Sequence, residues 1–206
     1  KMRLNHNIHL AYCTNIHRGS NWEETFQSLR DKTLRVKARV CPDSSYAIGL
    51  RLGDLASREL SQPNKLKEFQ SWLNENDCYV FTINGFPYGE FHGSRVKENV
   101  YLPDWTTTDR VDYTKRLFDI IAEIAPPDSG GSVSTVPCSY KEFITSDEQV
   151  AKMRANLWEV IDYIDNLSIK SGKDLHLGLE PEPMCYLETT DEMVRFYRDM
   201  KSDRPD

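Results

Sequence analysis

The sequence predicts an α/β protein built on a parallel sheet. Three observations carry the prediction. Strand-like and helix-like segments alternate from one end of the chain to the other. Capping-box patterns open helices at Ser20-Asn21-Trp22-Glu23 and Ser146-Asp147-Glu148-Gln149. The β-branched and aromatic run Tyr79-Val80-Phe81-Thr82-Ile83, closed by Asn84-Gly85, is a clear strand.

Taken in order, residues 8–13 read as a first strand, and a helix follows from Ser20. Trp22, Phe26, Leu29, Val36 and Val40 give that helix one apolar face before Pro42. A second strand covers residues 46–52. A short helical turn spans 54–60, then a helix from Asn64 sets Leu66, Phe69, Trp72 and Leu73 on one side. After the third strand, residues 84–105 show no period, and a structureless stretch of that length in a compact domain is usually functional. A helix resumes near Thr108 with Val111, Leu117, Ile120, Ile121 and Ile124, and stops at Pro126-Pro127. Gly130-Gly131 feeds a fourth strand over 132–136. The helix capped at Ser146 runs through Val150, Met153, Leu157, Ile161 and Ile164 to Gly172. A fifth strand covers 175–180, and a last helix runs from about Thr190 to Met200. Each crossover returns the chain to the same edge of the sheet with right-handed preference, so the strands are parallel. No boundary or repeat interrupts residues 1–206, and one domain is expected. Eight such units in about 250 residues would close a barrel. Five leave an open and a closed sheet both available.

The 206 residues are 39% hydrophobic and 28% charged, the composition of an ordinary soluble domain with material for a core. The formal net charge is -6 and the basic residues are scattered, which argues against a nucleic-acid partner. No segment approaches the roughly 18 consecutive apolar residues of a membrane span. The opening residues lack a signal-peptide core, so a cytoplasmic location is expected. Cys13, Cys41, Cys78, Cys138 and Cys185 are widely spaced and odd in number, which suits reduced and mostly buried thiols. G-x-S-x-G, G-x-x-x-x-G-K and G-x-G-x-x-G are all missing, which removes the commonest hydrolase, phosphate-loop and dinucleotide signatures.

The chemistry-bearing segment is His176-Leu177-Gly178-Leu179-Glu180-Pro181-Glu182-Pro183. Pro181 cannot continue a ladder, so Glu180 stands at the carboxyl end of the fifth strand, where α/β sheets place their ligands. A polar turn is the competing reading. By alternation His176 shares a face with Gly178 and Glu180, and is otherwise a satisfied core imidazole. Other strand ends nominate Asn15, Arg51, Asp54, Asn84, Tyr88, Ser139 and Lys141 as substrate-binding candidates. Arg51, Arg95 and Lys97 are suited to clamping a phosphate or carboxylate. Trp105 and Phe86 are placed to shield a bound sugar from water, or to pin their loop. Glu182, one proline further on, either joins the substrate site, faces solvent or caps the next helix.

The blocks Asn84-Gly85-Phe86-Pro87-Tyr88-Gly89-Glu90-Phe91-His92-Gly93, Val100-Tyr101-Leu102-Pro103-Asp104-Trp105, Ser134-Thr135-Val136-Pro137 and Gly178-Leu179-Glu180-Pro181-Glu182-Pro183 resemble the bacterial EboE-type metabolite-traffic proteins. These belong to the xylose-isomerase-like TIM-barrel superfamily, which also holds sugar phosphate isomerases and epimerases and an apurinic-site endonuclease. The resemblance implies a partial TIM barrel, five βα units from the amino-terminal part of an eight-unit one. It implies a divalent metal, Mn, Mg or Zn, in the full-length protein. Of the Glu, Asp, His and Glu that hold it in the epimerase branch, Glu180 matches the first, and the others would lie beyond Asp206. It also implies that Glu180 serves as ligand or base and that His92 assists proton transfer or ring opening. A five-unit barrel exposes two unpaired edges, so self-association is a further expectation. The leading expectation is a sugar isomerase or epimerase acting on or handling a small polyol, sugar or sugar phosphate. A non-catalytic metabolite carrier, with residues 84–105 as its recognition surface, is the second. A metal-dependent apurinic-site endonuclease is the third.

Overall fold

The computed structural model describes residues 2–89 and 97–204. Among them five parallel strands form one sheet in the order β1 (Tyr12–Cys13), β2 (Tyr46–Arg51), β3 (Cys78–Asn84), β4 (Gly131–Thr135) and β5 (Leu175–Leu179). The helices are α1 (Trp22–Ser28), α2 (Leu34–Val40), α3 (Asp54–Leu60), α4 (Pro63–Glu75), α5 (Thr108–Ile124), α6 (Asp147–Ser171) and α7 (Thr190–Asp203). Sequential order with every pair parallel is the arrangement of a barrel wall, and the fold is α/β and TIM-barrel-like through five βα units.

Local chemistry sets the helix ends. Ser146 and Gln149 form a complete capping box at α6, and Gly172 ends that helix at φ 67°, a conformation that costs glycine little. Thr189 and Glu192 form the equivalent box at α7. Pro63 occupies the first turn of α4, where its missing N–H costs nothing.

The two faces of the sheet differ. Val80, Ile83, Val133 and Leu175 are buried with Phe69, Leu117, Ile121 and Ile164 in one core on the helix side. Trp22, Phe26, Phe69 and Trp72 extend it in edge-on and stacked contacts with centroids 4.9 to 6.0 Å apart. Thr82, Asn84, Ser132, Ser134 and Gly178 are half-buried and His176 is exposed on the other side, termed here the open face.

Four local expectations are corrected. The first strand is Tyr12–Cys13 rather than residues 8–13, because a tight turn at Asn5–Asn7 and an antiparallel bridge from Arg3 to His9 take up the preceding residues. The first helix is capped by Asn21, which accepts the Glu24 N–H at 2.9 Å, while the Ser20 N–H donates to the Glu24 carboxylate at 2.8 Å. The expected unbroken face through Val40 fails at a wide π turn, Leu29–Thr33. That turn shifts the helical phase, so Thr33 is buried and Val40 is 63% exposed. His176 lies on the exposed part of the open face and is not a core imidazole.

No helix among the described residues is long and apolar enough to cross a membrane. All five cysteines are free thiols; four are buried and Cys13 is exposed.

Candidate functional site

Register brings the site together. Arg51 on β2 pairs with Asn84 on β3, Asn84 with Ser134 on β4, and Ser134 with Gly178 on β5. Glu180 follows, its backbone N–H donating to the Thr135 carbonyl at 3.1 Å. Paired residues of parallel strands share a face, and alternation returns Glu180 to the side of Gly178. The carboxyl ends of four strands thus carry a guanidinium, a carboxamide, a hydroxyl and a carboxylate in one row on the open face.

The members of the row differ in what they have left to offer. Arg51 is 7% exposed and donates to the Gly19 carbonyl at 3.5 Å and the Gly89 carbonyl at 3.1 Å. It therefore ties two loops together instead of presenting an open fork. The Oδ1 of Asn84 accepts the Phe86 N–H at 3.0 Å, which leaves the Nδ2 hydrogens as donors. Ser134 and Glu180 are half-buried, and among the described residues neither side chain forms a hydrogen bond or ion pair. One turn of the ladder below, Ser132 donates to the Thr82 hydroxyl at 2.8 Å.

Aromatic and acidic groups border the row. Tyr101 stacks on Tyr140 at 5.3 Å and lies 5.8 Å from Phe86. Burial, then the Glu182 carboxylate that it hydrogen-bonds, push the Tyr101 phenol well up. Burial and the same carboxylate push the Cys185 thiol up to about 12. Glu182 thus organises the segment after β5 from within. The caps of the following helix are Thr189 and Glu192 instead. Cys138 is fully buried at φ 74°, and burial with the nearby Asp104 pushes its thiol well up. Met184, also left-handed at φ 71°, lies on the other side of the Tyr140 to Cys185 bridge. Two non-glycine residues in that conformation flank the loops above β4 and β5, where strain often accompanies function.

The remaining candidates separate as follows. Asn15 follows β1 in a short turn, and its buried Oδ1 has no partner among the described residues. Tyr88 packs edge-on against Tyr113 at 5.0 Å, and its carbonyl accepts the Asp54 N–H at 2.8 Å. Asp54 pairs with Arg58 and Arg116; these bonds outweigh burial and hold its carboxyl below the usual range. Trp105 is fully buried, its indole N–H donating to the Val136 carbonyl at 3.1 Å. The expectation that it shields a ligand is corrected: it is a core residue that pins its loop. Phe86, 6% exposed, belongs to the same core. Ser139 is buried and donates to Asp104, and Lys141 pairs with Glu188 and Glu192 at 2.8 and 3.0 Å. His92 and Arg95 lie outside the described residues.

Sequence reasoning missed Ser134, Tyr101 and Arg110. A signal for the first existed, since Thr82/Asn84 and Ser132/Ser134 place small polar residues at strand period in neighbouring strands.

Metal chemistry has a narrow footing here. Among the described residues no group of three or more His, Cys, Asp or Glu side chains is arranged to hold an ion. Glu180 offers one carboxylate, which does not make a divalent site by itself.

No protein-family model and no curated protein matches the chain. Among solved structures, the chain is similar to a crystal structure of IolI protein with a binding zinc atom, at 12% sequence identity and a TM-score of 0.49, over 93% of this chain and 59% of that one. The chain spans less than two thirds of that protein's length.

Proposed function

We propose that the row at the carboxyl ends of β3, β4 and β5 binds a small sugar or polyol-type metabolite, and that the protein is a sugar isomerase or epimerase-like member of the EboE type. The observation that carries this reading is the half-buried Glu180 carboxylate, without a side-chain partner among the described residues and aligned with free donors on Ser134 and Asn84. Such a set complements a hydroxylated ligand with a carbonyl. The Asn84 amide and the Ser134 hydroxyl donate to its oxygens, and Glu180 takes a proton from the carbon next to the carbonyl. It returns that proton to the former carbonyl carbon while the hydroxyl proton of the enediol passes between the two oxygens through Ser134; return to the opposite face of the same carbon requires the enediol to turn over in the site. No step is routed through a metal, because the described residues do not assemble a ligand set. The blocks that resemble the EboE-type proteins run through this row, which supports the assignment.

A second reading, a metabolite-binding protein without turnover, is favoured by one observation. Among the described residues Glu180 is the single acid or base in the row, and racemising or isomerising chemistry commonly uses two.

Incubation with xylulose, ribulose and fructose in D2O tests both. Exchange of the carbon-bound hydrogen, followed by proton NMR, is expected for the enzyme reading, and Glu180→Gln should lower its rate by about a hundredfold or more. Binding without exchange selects the carrier. Exchange that survives in Glu180→Gln would remove Glu180 from the chemistry.

A further inference from the structure

We propose that Arg110 is a positioning residue for this row: acting through Phe86, it fixes which end of the Asn84 side-chain amide faces the open side of the sheet. Arg110 lies in the first turn of α5 with no exposed surface. A cation there opposes the helix dipole, and among the described residues it forms no ion pair. Burial lowers its pKa to about 10, a measure of how poorly the site solvates the charge. A fully buried cation held by no salt bridge among the described residues is costly even with Asp104 nearby, so the contacts it makes in return identify its role.

Those contacts converge on one loop. Nε donates to the Pro103 carbonyl at 2.7 Å, and Nη1 donates to the carbonyls of Gly85 at 2.8 Å and Phe86 at 3.0 Å. The planar fork therefore holds both ends of residues 85–103 at once, a geometry an ammonium cannot copy. The rings of Tyr88 and Tyr113 lie 5.9 and 5.5 Å from the guanidinium carbon. One helical turn along, the Tyr113 hydroxyl donates to the Leu52 carbonyl and at 3.5 Å to that of Pro87. Helix α5 thus acts as a rail along which the exit from β3 is laid.

The Gly85 carbonyl that Arg110 grips lies in the same peptide plane as the Phe86 N–H that donates to Asn84 Oδ1, and the Phe86 carbonyl held beside it fixes the next plane. While that N–H stays in place, the carbonyl end of the Asn84 amide is engaged and the Nδ2 donors face the row. Without it the amide is free to turn over, and the row would present donor and acceptor interchangeably. The functional meaning rests on the metabolite site proposed above; the geometric claim does not.

Nitrogen-15 NMR separates the two. The Asn84 side-chain NH2 pair is identified by its loss in Asn84→Ala and then followed in Arg110→Lys and Arg110→Gln. The pair should move in both variants while dispersed backbone signals show the fold retained. If Arg110→Gln does not fold, Arg110→Lys, which keeps the charge and loses the fork, supplies the result. In xylulose titrations Arg110→Lys and Asn84→Ala should each weaken binding about five- to tenfold, and the double variant should bind no more weakly than Asn84→Ala alone. An unmoved Asn84 pair in folded Arg110→Lys overturns the proposal, as do additive losses in the double variant. If the parent binds no xylulose, the metabolite reading fails and the NMR arm still decides the positioning claim.

Discussion

Replacing Gly85 by alanine tests how tightly the exit from β3 is seated. The Gly85 N–H donates to the Ser134 carbonyl at 2.9 Å, which brings the chain down onto β4. A Cβ at this position would meet Leu117 Cδ1 at 2.5 Å, the Ser134 carbonyl oxygen at 3.0 Å and Val133 Cγ1 at 3.3 Å. Leu117 and Val133 are buried in the core, so the leucine methyl cannot swing into solvent, and the carbonyl is held by the sheet. Overpacking of this kind costs about 1–3 kcal/mol. The lower entropy of the unfolded alanine chain returns about 0.4–1 kcal/mol. The net is a destabilisation of up to roughly 2.5 kcal/mol, or up to about 10 °C in melting temperature for a chain of this length. Gly89→Ala is the matched control, because among the described residues nothing lies within 4 Å of its Cβ and the entropic gain remains. Both variants should be compared with the parent by scanning calorimetry and urea titration. If Gly85→Ala melts at or above the temperature of Gly89→Ala, the crowding at β3 and α5 is misjudged, and so is the rigidity ascribed to the neighbouring Asn84.

Trp105→Phe should cost about 1–3 kcal/mol in urea unfolding, because the Val136 carbonyl loses a buried donor, while xylulose affinity stays unchanged; a selective loss of affinity would restore Trp105 to the site. Tyr113→Phe strips donors from Leu52 and Pro87 and should destabilise by a similar amount, about 1–3 kcal/mol, with no change in the urea slope. At the start of α7, hydrogen bonds from the Thr189 and Glu188 N–H groups, aided by Lys141, lower the Glu192 pKa from 4.5 to about 2. A depressed carboxyl stabilises the fold above its unfolded pKa, so this contribution is complete above about pH 4.5 and disappears as the pH falls towards 2. The stability gap between the parent and Glu192→Gln, measured by urea titration at several pH values, should therefore narrow across that window, and a constant gap would contradict the assignment.

The parallel sheet, the α6 capping box with its Gly172 stop, and the β3 run were readable because each is encoded within a few consecutive residues. The π turn at Leu29–Thr33 was not, since one extra residue in a helical turn leaves no mark on composition and only shifts the phase that put Val40 outside. The site divides along the same line. Glu180 at a strand end before a proline was visible locally. Its alignment with Ser134 and Asn84 depends on three strands meeting in register over more than ninety residues, which no local pattern specifies. Arg51 and Tyr88 follow strand ends and Trp105 closes the long stretch after β3, and the fold spends all three on fastening loops. The residue type was right for ligand contact, but burial and backbone partners decided its use.

Cys13 is exposed on β1 while Cys41, Cys78, Cys138 and Cys185 are buried, and that asymmetry makes the thiols a built-in gauge. A maleimide added to the native protein should label one site, and under denaturant five, so the number of adducts measures how much of the population is folded. Register also carries Cys13 through Gly49, Thr82 and Ser132 to His176, along one row of the open face. Four strand spacings, about 19 Å along the sheet, separate a dye on Cys13 from β5. That places a fluorescent reporter within energy-transfer range of whatever occupies the ground around Glu180, without touching a residue that builds it.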